Sequence, residues 1–341
     1  MGQMIPKKTI SVEHNWLKEL AMSFTDPASL LRYLSLNPED FLKDSQARQL
    51  FPMRVPRHFA SLMRKGDPHD PLLRQVLPLR DEFTQAPGFT SDPLDEHDTE
   101  LPGLLHKYQS RVLLIVRGGC AVNCRYCFRR HFPYADNAAS RKQFVQSLDY
   151  LRTTPEVNEV ILSGGDPLMA KDSHLAWLAD EIAGISHIRR LRIHTRLPVV
   201  LPARLDTEFF DWFASSPLQR ILVLHINHAS EVSDELKARL VRLREAGVTL
   251  LNQAVLLKGV NDSGQAQVAL SEALFEAGIL PYYLHMLDKV GGASHFYLDD
   301  ETARAIMAEV IKRLPGFLVP KLVREIGGQP GKTPVDLQLH P

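Results

Sequence analysis

Cysteine is scarce. Three residues in 341 make an odd count, too few for a disulfide framework, and this points towards metal binding or catalysis. Charge of one sign is missing as well. Forty Lys and Arg balance forty Asp and Glu, so no bulk field favours a polyanion or an anionic bilayer, and neither nucleic acid nor a membrane is an expected partner. No apolar run approaches the roughly eighteen residues that span a bilayer. The opening Met1-Gly2-Gln3-Met4-Ile5-Pro6-Lys7-Lys8 has no apolar stretch behind its basic residues, so no secretory signal is expected and a cytoplasmic location is. Internal repeats and low-complexity tracts are also lacking. With 44% hydrophobic and 23% charged residues, the chain is neither disordered nor collagenous. At roughly 150 residues per domain, its length suits about two domains, or one large α/β unit with an appendage.

Three regions are expected: 1–100, 101–330 and 331–341. The first reads as helices broken by prolines. Trp16, Leu17, Leu20 and Met22 form one apolar stripe, Asp26-Pro27 opens a second helix, and Leu30, Leu31 and Leu34 continue it. Seven prolines from Pro52 to Pro93 then forbid long regular elements. This region reads as a layer, not a catalytic core. From Arg111, β-branched runs at 112–116, 159–163, 191–194, 221–225, 250–256 and 280–284 alternate with amphipathic stretches at 141–152, 174–183, 207–215, 233–246, 265–276 and 302–313. Six β/α repeats around a parallel sheet follow, either as a partial barrel or as an open sheet. In both, the chemistry gathers beyond the C-terminal ends of the strands.

Directly after the first of these strands stands Gly118-Gly119-Cys120-Ala121-Val122-Asn123-Cys124-Arg125-Tyr126-Cys127-Phe128-Arg129-Arg130. Three thiols within eight residues suit one shared cofactor. Structural zinc would want a fourth ligand, for which His131 is available. An iron–sulfur cluster normally takes four cysteines, so three would leave one iron open to a small molecule. After the second strand, Ser163-Gly164-Gly165-Asp166-Pro167 places backbone that can approach a ligand closely beside a carboxylate, or makes a tight strand-to-helix turn. Polar groups recur at later strand ends in His194-Thr195-Arg196, His225-Ile226-Asn227-His228 and Asn252-Gln253; each is either a ligand contact or a hydrogen-bonded side chain closing a strand. Near the C-terminus, Gly327-Gly328-Gln329-Pro330-Gly331-Lys332-Thr333-Pro334 is one residue short of a phosphate loop and carries a proline where its helix should begin. A lysine set among glycines is instead well exposed to pyridoxal phosphate, whose aldehyde its amine can condense with.

Cys-x-x-x-Cys-x-x-Cys after the first strand of a six-fold β/α unit resembles the radical S-adenosylmethionine enzymes. The resemblance implies an α/β fold, a partial (β/α)6 TIM-like barrel with an N-terminal helical layer. It also implies that Cys120, Cys124 and Cys127 hold a [4Fe–4S] cluster whose fourth iron chelates S-adenosylmethionine, which one electron cleaves to methionine and a 5′-deoxyadenosyl radical. Ser163, Gly164, Gly165 and Asp166 resemble the family's Gly-Gly-Glu-type element for the methionyl amine, with Asp166 in the acidic position. His225 and Gln253 are further candidate contacts to the cosubstrate.

Gly-Gly-x-x-Gly-Lys-Thr-Pro-Val, following that cysteine motif, is similar to the lysine 2,3-aminomutase family over 94–335 and implies that Lys332 is the pyridoxal lysine. On this likeness Arg129 binds the substrate α-carboxylate, and Arg111 and Lys107 lie near the cofactor phosphate. Asp288 and Glu325 bind the distal ammonium of lysine, Glu325 standing where clostridial members carry aspartate. Physically, an acid pair favours a diamino substrate over glutamate. The short form, with Phe128-Arg129-Arg130 and the 102–108 lead-in, most resembles the bacterial enzymes that supply β-lysine for elongation factor P. The implied partners are L-lysine, an external one-electron donor such as a flavodoxin, and a functional link to the elongation factor P ligase. Two rivals stand beside this reading: the same isomerisation of another amino acid or of protein-attached lysine, and a non-catalytic zinc-binding module that docks a translation partner.

Overall fold

In a computed structural model, residues 16–97, 101–134 and 141–338 are described. The opening segment 1–15, on which the absence of a signal was argued, lies outside them. The strands form one sheet in sequence order: β1 (Leu104–Tyr108), β2 (Arg111–Arg117), β3 (Glu159–Gly164), β4 (Arg190–Thr195), β5 (Gln219–Leu224), β6 (Thr249–Val255), β7 (Leu280–His285), β8 (Lys321–Arg324) and β9 (Thr333–Pro334). β2 to β8 run parallel, and β1 and β9 add antiparallel ends. All six expected strands are present. β1, β8 and β9 were not foreseen, because four residues of Lys321-Leu322-Val323-Arg324 and two of Thr333-Pro334 are too short to carry a period. Each parallel connection passes through a helix, among them Arg141–Thr153, Asp172–Ala183, Asp234–Glu245, Gly264–Glu276 and Asp300–Arg313. Ser233, Ser263 and Asp299 cap three of these by accepting a backbone N–H of the first turn.

The period of two along the strands decides what faces the interior. Leu191 and Ile193 of β4 are buried among apolar neighbours, while Arg192 and His194 point into a central cavity. The same alternation turns Glu159, Ile161 and Ser163 of β3, Gln253 and Val255 of β6, and Tyr283 and His285 of β7 inward. A closed eight-stranded barrel fills its interior with branched apolar layers. Here the inward row is largely polar, and a cavity of about 420 Å³ remains.

The N-terminal layer is made of short helices, as its prolines require. Asp26 caps Pro27–Tyr33 and Asp70 caps Pro71–Arg74, each with proline in the first turn. Leu30, Leu31 and Leu34 are fully buried in the same apolar core as the strands and crossover helices. A smaller cluster of Leu257, Val260, Leu287, Val290, Ala293 and Phe296 underlies the loops after β6 and β7, and Tyr126 and Phe128 of the cysteine segment pack on it. Among the described residues, no helix is long and apolar enough to cross a membrane.

Candidate active site

The cysteine segment leaves β2 and is held from below by the N-terminal layer. Arg54 donates to the Cys120 carbonyl at 3.1 Å and accepts from Asn123 N–H at 3.1 Å, and Arg125 N–H donates to the Gln75 carbonyl at 2.8 Å. The Arg125 side chain, fully buried, forks onto Glu82 at 2.8 and 2.5 Å, and Arg130 reaches the same carboxylate at 2.7 Å. A charged cluster so desolvated costs several kcal/mol to break by removing one member. It fixes the loop that carries the thiols.

All three thiols are free, half-buried and on the cavity wall. Burial, and after it the charge of Cys124, pushes the Cys127 thiol up to about 11; burial, and then Cys127, also push Cys120 well above its ordinary value. A cationic cluster would therefore release protons on binding. Arg196 donates to Cys124 Sγ at 3.0 Å and is itself braced by Glu231, Gln75 and Tyr126. His131, which a zinc site would need, is exposed, with Nε2 3.3 Å from the Gly291 carbonyl. Among the described residues, no group of three or more His, Cys, Asp or Glu is gathered as around a single ion.

The glycine pair serves this loop first. Gly164 has φ +126°, and a Cβ there would lie 2.5 Å from the Arg117 carbonyl; one at Gly165 would lie 2.7 Å from that of Gly118. The backbone these glycines approach is therefore that of the cysteine segment, to which Gly165 and Asp166 N–H groups donate. Asp166 departs from the expected ammonium-binding role. Its carboxylate already accepts from Leu168, Arg196 and Leu197 N–H groups and from the Thr195 hydroxyl, which occupies its four lone-pair sites. It ties the ends of β3 and β4 together. Asn252 and His228 follow the same pattern: Asn252 exchanges two hydrogen bonds with Ile226, and His228 Nδ1 accepts from Ser230 N–H.

Other inward groups have no partner. His194 Nε2, His225 Nε2, His285 Nε2 and Gln253 Oε1 are buried without a hydrogen bond, and all four line the cavity. Buried polar atoms are almost always satisfied, so this cluster marks a wall that a ligand completes. Burial, with Arg196 and Arg129 nearby, holds His225 neutral, its pKa pushed down to about 3.

At the other end lies a ladder of alternating charge. Arg129 pairs with Glu96 at 2.7 and 3.1 Å, Glu96 with Lys107 at 2.8 Å, Lys107 with Glu325 at 3.8 Å, and Glu325 with Lys332 at 2.6 Å. The β8–β9 register, Arg324 opposite Thr333, makes Glu325 and Lys332 the next facing pair, on the loop side of the hairpin. The Tyr108 hydroxyl donates to Glu325 at 2.9 Å, and the Arg111 guanidinium lies over the Tyr108 ring at 3.9 Å. Burial opposes the ionised form of Glu325, but Lys332, Lys107 and Tyr108 outweigh it and hold its pKa below the ordinary value. At Asp288 the balance goes the other way: burial, and then Glu325, outweigh the lowering by Lys332 and Lys107 and push it up to about 7. Lys107, expected near a phosphate, instead bridges two carboxylates.

Glu96 is a cavity-lining residue that sequence reasoning missed. It sits in the proline-rich region read as lying apart from the chemistry, yet it lines the cavity and grips Arg129. Asp-Pro-Leu-Asp-Glu offers no period or motif to mark it. His285 and Tyr108 were likewise unmarked individually, since a single inward polar residue on a strand has no sequence signature.

Residues 114–269 match the family model described as the radical SAM superfamily. The chain is 55% identical over 341 residues to L-lysine 2,3-aminomutase of Escherichia coli strain K12, covering all of this chain and 99% of that protein. The chain belongs to the lysine 2,3-aminomutase family. Its other relatives include the Haemophilus influenzae protein of the same name, 50% identical over 97% of this chain and 98% of that one. The Clostridium subterminale protein is 33% identical over 94% of this chain, which covers 78% of that longer enzyme. Membership makes the chain an isomerase of the radical type and sets aside the zinc-module rival. Family members use a [4Fe–4S] cluster, S-adenosylmethionine and pyridoxal phosphate. Three thiols, four unsatisfied buried polar atoms and a lysine on one cavity fit that set.

Proposed function

We propose that the chain moves the amino group of L-lysine from C2 to C3, giving β-lysine. One observation carries the substrate reading: Glu325, with Asp288 beside it, already binds an alkylammonium, that of Lys332, at 2.6 Å. The Lys332 side chain is chemically the side chain of the substrate. With Lys332 engaged by the cofactor, Glu325 would be free to hold the distal ammonium of free lysine, and Asp288 would complete the pair. Arg129 lies at the far end of the ladder, where it receives the α-carboxylate. Two opposite charges held at the ends of an aliphatic chain fix C2 and C3 between them.

Cys120, Cys124 and Cys127 would hold the cluster. Ser163, Gly164 and Gly165, with Asp166 setting their backbone, and His225 and Gln253 would contact S-adenosylmethionine. Arg111 would meet the phosphate and Lys332 the aldehyde of pyridoxal phosphate. When bound, these groups supply a hydrogen-abstracting radical and a carrier for the migrating nitrogen. The protein's own part is to position: the saturated Asp166 and Glu82 clusters keep the thiol loop in register with the strand ends, and the unsatisfied imidazoles and amide receive polar groups without moving. The division at about residue 100 is between a scaffold for the thiol loop and the barrel, with 331–341 supplying the lysine. A flavodoxin-like donor would deliver the electron. The match along nearly the whole length of the Escherichia coli and Haemophilus influenzae relatives supports a β-lysine destined for elongation factor P and its ligase.

The test is anaerobic reconstitution with iron, sulfide and pyridoxal phosphate, followed by reductant, S-adenosylmethionine and L-lysine, with β-lysine sought by mass spectrometry. Its appearance is expected. Cleavage of S-adenosylmethionine with lysine untouched would overturn the substrate reading and leave the radical chemistry standing.

A further inference from the structure

An arginine that is to bind a substrate carboxylate must present a defined edge, and a guanidinium has five N–H groups on more than one edge. In this chain the choice of edge is made by another residue. Arg129 is buried, and its Nε and Nη2 fork onto the two oxygens of Glu96 at 2.7 and 3.1 Å. Its Nη1 donates to Ser163 Oγ at 3.2 Å and to the Gly164 carbonyl at 3.3 Å. Of the five N–H groups, the second on Nη2, pointing away from Glu96, is the one left for a second carboxylate. Glu96 is itself immobilised. Its N–H and that of His97 donate to the two oxygens of Asp92 at 3.0 and 2.8 Å, and Lys107 Nζ binds Glu96 Oε1 at 2.8 Å while also donating to the Leu94 carbonyl.

We infer that Glu96 is the positioning residue of the α-carboxylate subsite: by occupying the Nε/Nη2 edge of Arg129 it turns the remaining Nη2 N–H towards the substrate. The inference rests on the reading of Arg129 as the carboxylate binder. It assigns a part in substrate recognition to the N-terminal layer, through one buried carboxylate that does not touch the reacting atoms. It also distinguishes support from competition, since a Glu96 that merely filled the substrate's place would have to leave when lysine bound.

The experiment is a binding titration on the reconstituted holoenzyme without reductant or S-adenosylmethionine, so that nothing turns over, read from the change in the pyridoxal absorption band. L-Lysine is compared with 1,5-diaminopentane, which keeps both amines and lacks the carboxylate. For Glu96→Gln the expected result is weaker lysine binding, by between about tenfold and about a hundredfold, with diamine binding unchanged. Glu96→Asp, which keeps the charge and shortens the reach, should show the same selective loss to a smaller degree, and it decides the matter alone if the first variant does not fold. Unchanged lysine binding, tighter lysine binding, or an equal loss for both ligands would each overturn the inference. Arg129→Met is the control for the underlying reading: if it does not abolish the preference for lysine over the diamine, the assignment of Arg129 falls, and that of Glu96 with it.

Discussion

At the cysteine end of the cavity, Arg125, Arg130 and Glu82 share a cluster from which solvent is excluded, and Asp166 is saturated by the chain around it. At the lysine end, Lys332 and Glu325 keep 15% and 17% of their side-chain surface, and Asp288 beside them lacks a full counter-charge. The two ends use the same residue types to opposite purposes. Where each carboxylate is filled by donors of the chain itself, its geometry is fixed before any ligand arrives, as a cluster-binding loop requires. Where the partner is a flexible alkylammonium, it can be exchanged for another of the same chemistry, as a substrate subsite requires.

The sharpest break of this comparison is at the thiols. Cys124→Ala is expected to lose the iron–sulfur absorption and all turnover, whereas Lys332→Ala should lose turnover and the protein-bound pyridoxal band while keeping the cluster; absorption spectra of the two reconstituted variants check this. Next in size is stability. Glu82→Gln strands two buried guanidinium groups and should cost about 3–5 kcal/mol in denaturant unfolding, whereas Glu325→Gln, at a pair that keeps some contact with solvent, should cost less. A variant that reverses this order would remove the distinction between the two ends. Third, Asp288→Asn deletes one charged acceptor for the distal ammonium and should raise KM for lysine by between about tenfold and a hundredfold, since such a bond contributes roughly 1.5–3 kcal/mol.

The smallest effect is in pH. Asp288 binds an ammonium only when ionised, so KM for lysine should fall as pH rises through about 7, and Asp288→Asn should flatten that profile. The sign for stability is the reverse. With its pKa raised in the folded chain, Asp288 holds a proton there that the unfolded chain releases, so its contribution is fully present below pH of about 4 and is lost as pH rises through about 7. Paired melts of the parent and Asp288→Asn across that window measure it.

Much of this was legible beforehand because it is local. Three thiols within eight residues, a glycine pair at a strand end and a lysine among glycines are each set by covalent spacing, and the alternation of apolar runs placed all six central strands. Family resemblance then attached expected roles to Arg129, Asp288 and Glu325. What proved illegible has one physical cause: hydrogen-bond saturation is a property of neighbours that are distant in the chain. Asp166 and His225 both stand just after or at strand ends, yet Leu168, Thr195, Arg196 and Leu197 saturate the first while the second is left with an open Nε2. Nothing within either motif separates the two.

By itself, then, the sequence determined the six central strands and the helices between them, the thiol loop and the lysine, because strand periodicity and motif spacing act over a few residues. Only the tertiary structure decided which N–H of Arg129 is open, that Glu96 of the N-terminal layer supplies its partner 33 residues away, and that Glu325 faces Lys332 across the hairpin. Burial and pairing settle the charge state and orientation of a buried side chain, and both are set by the fold as a whole.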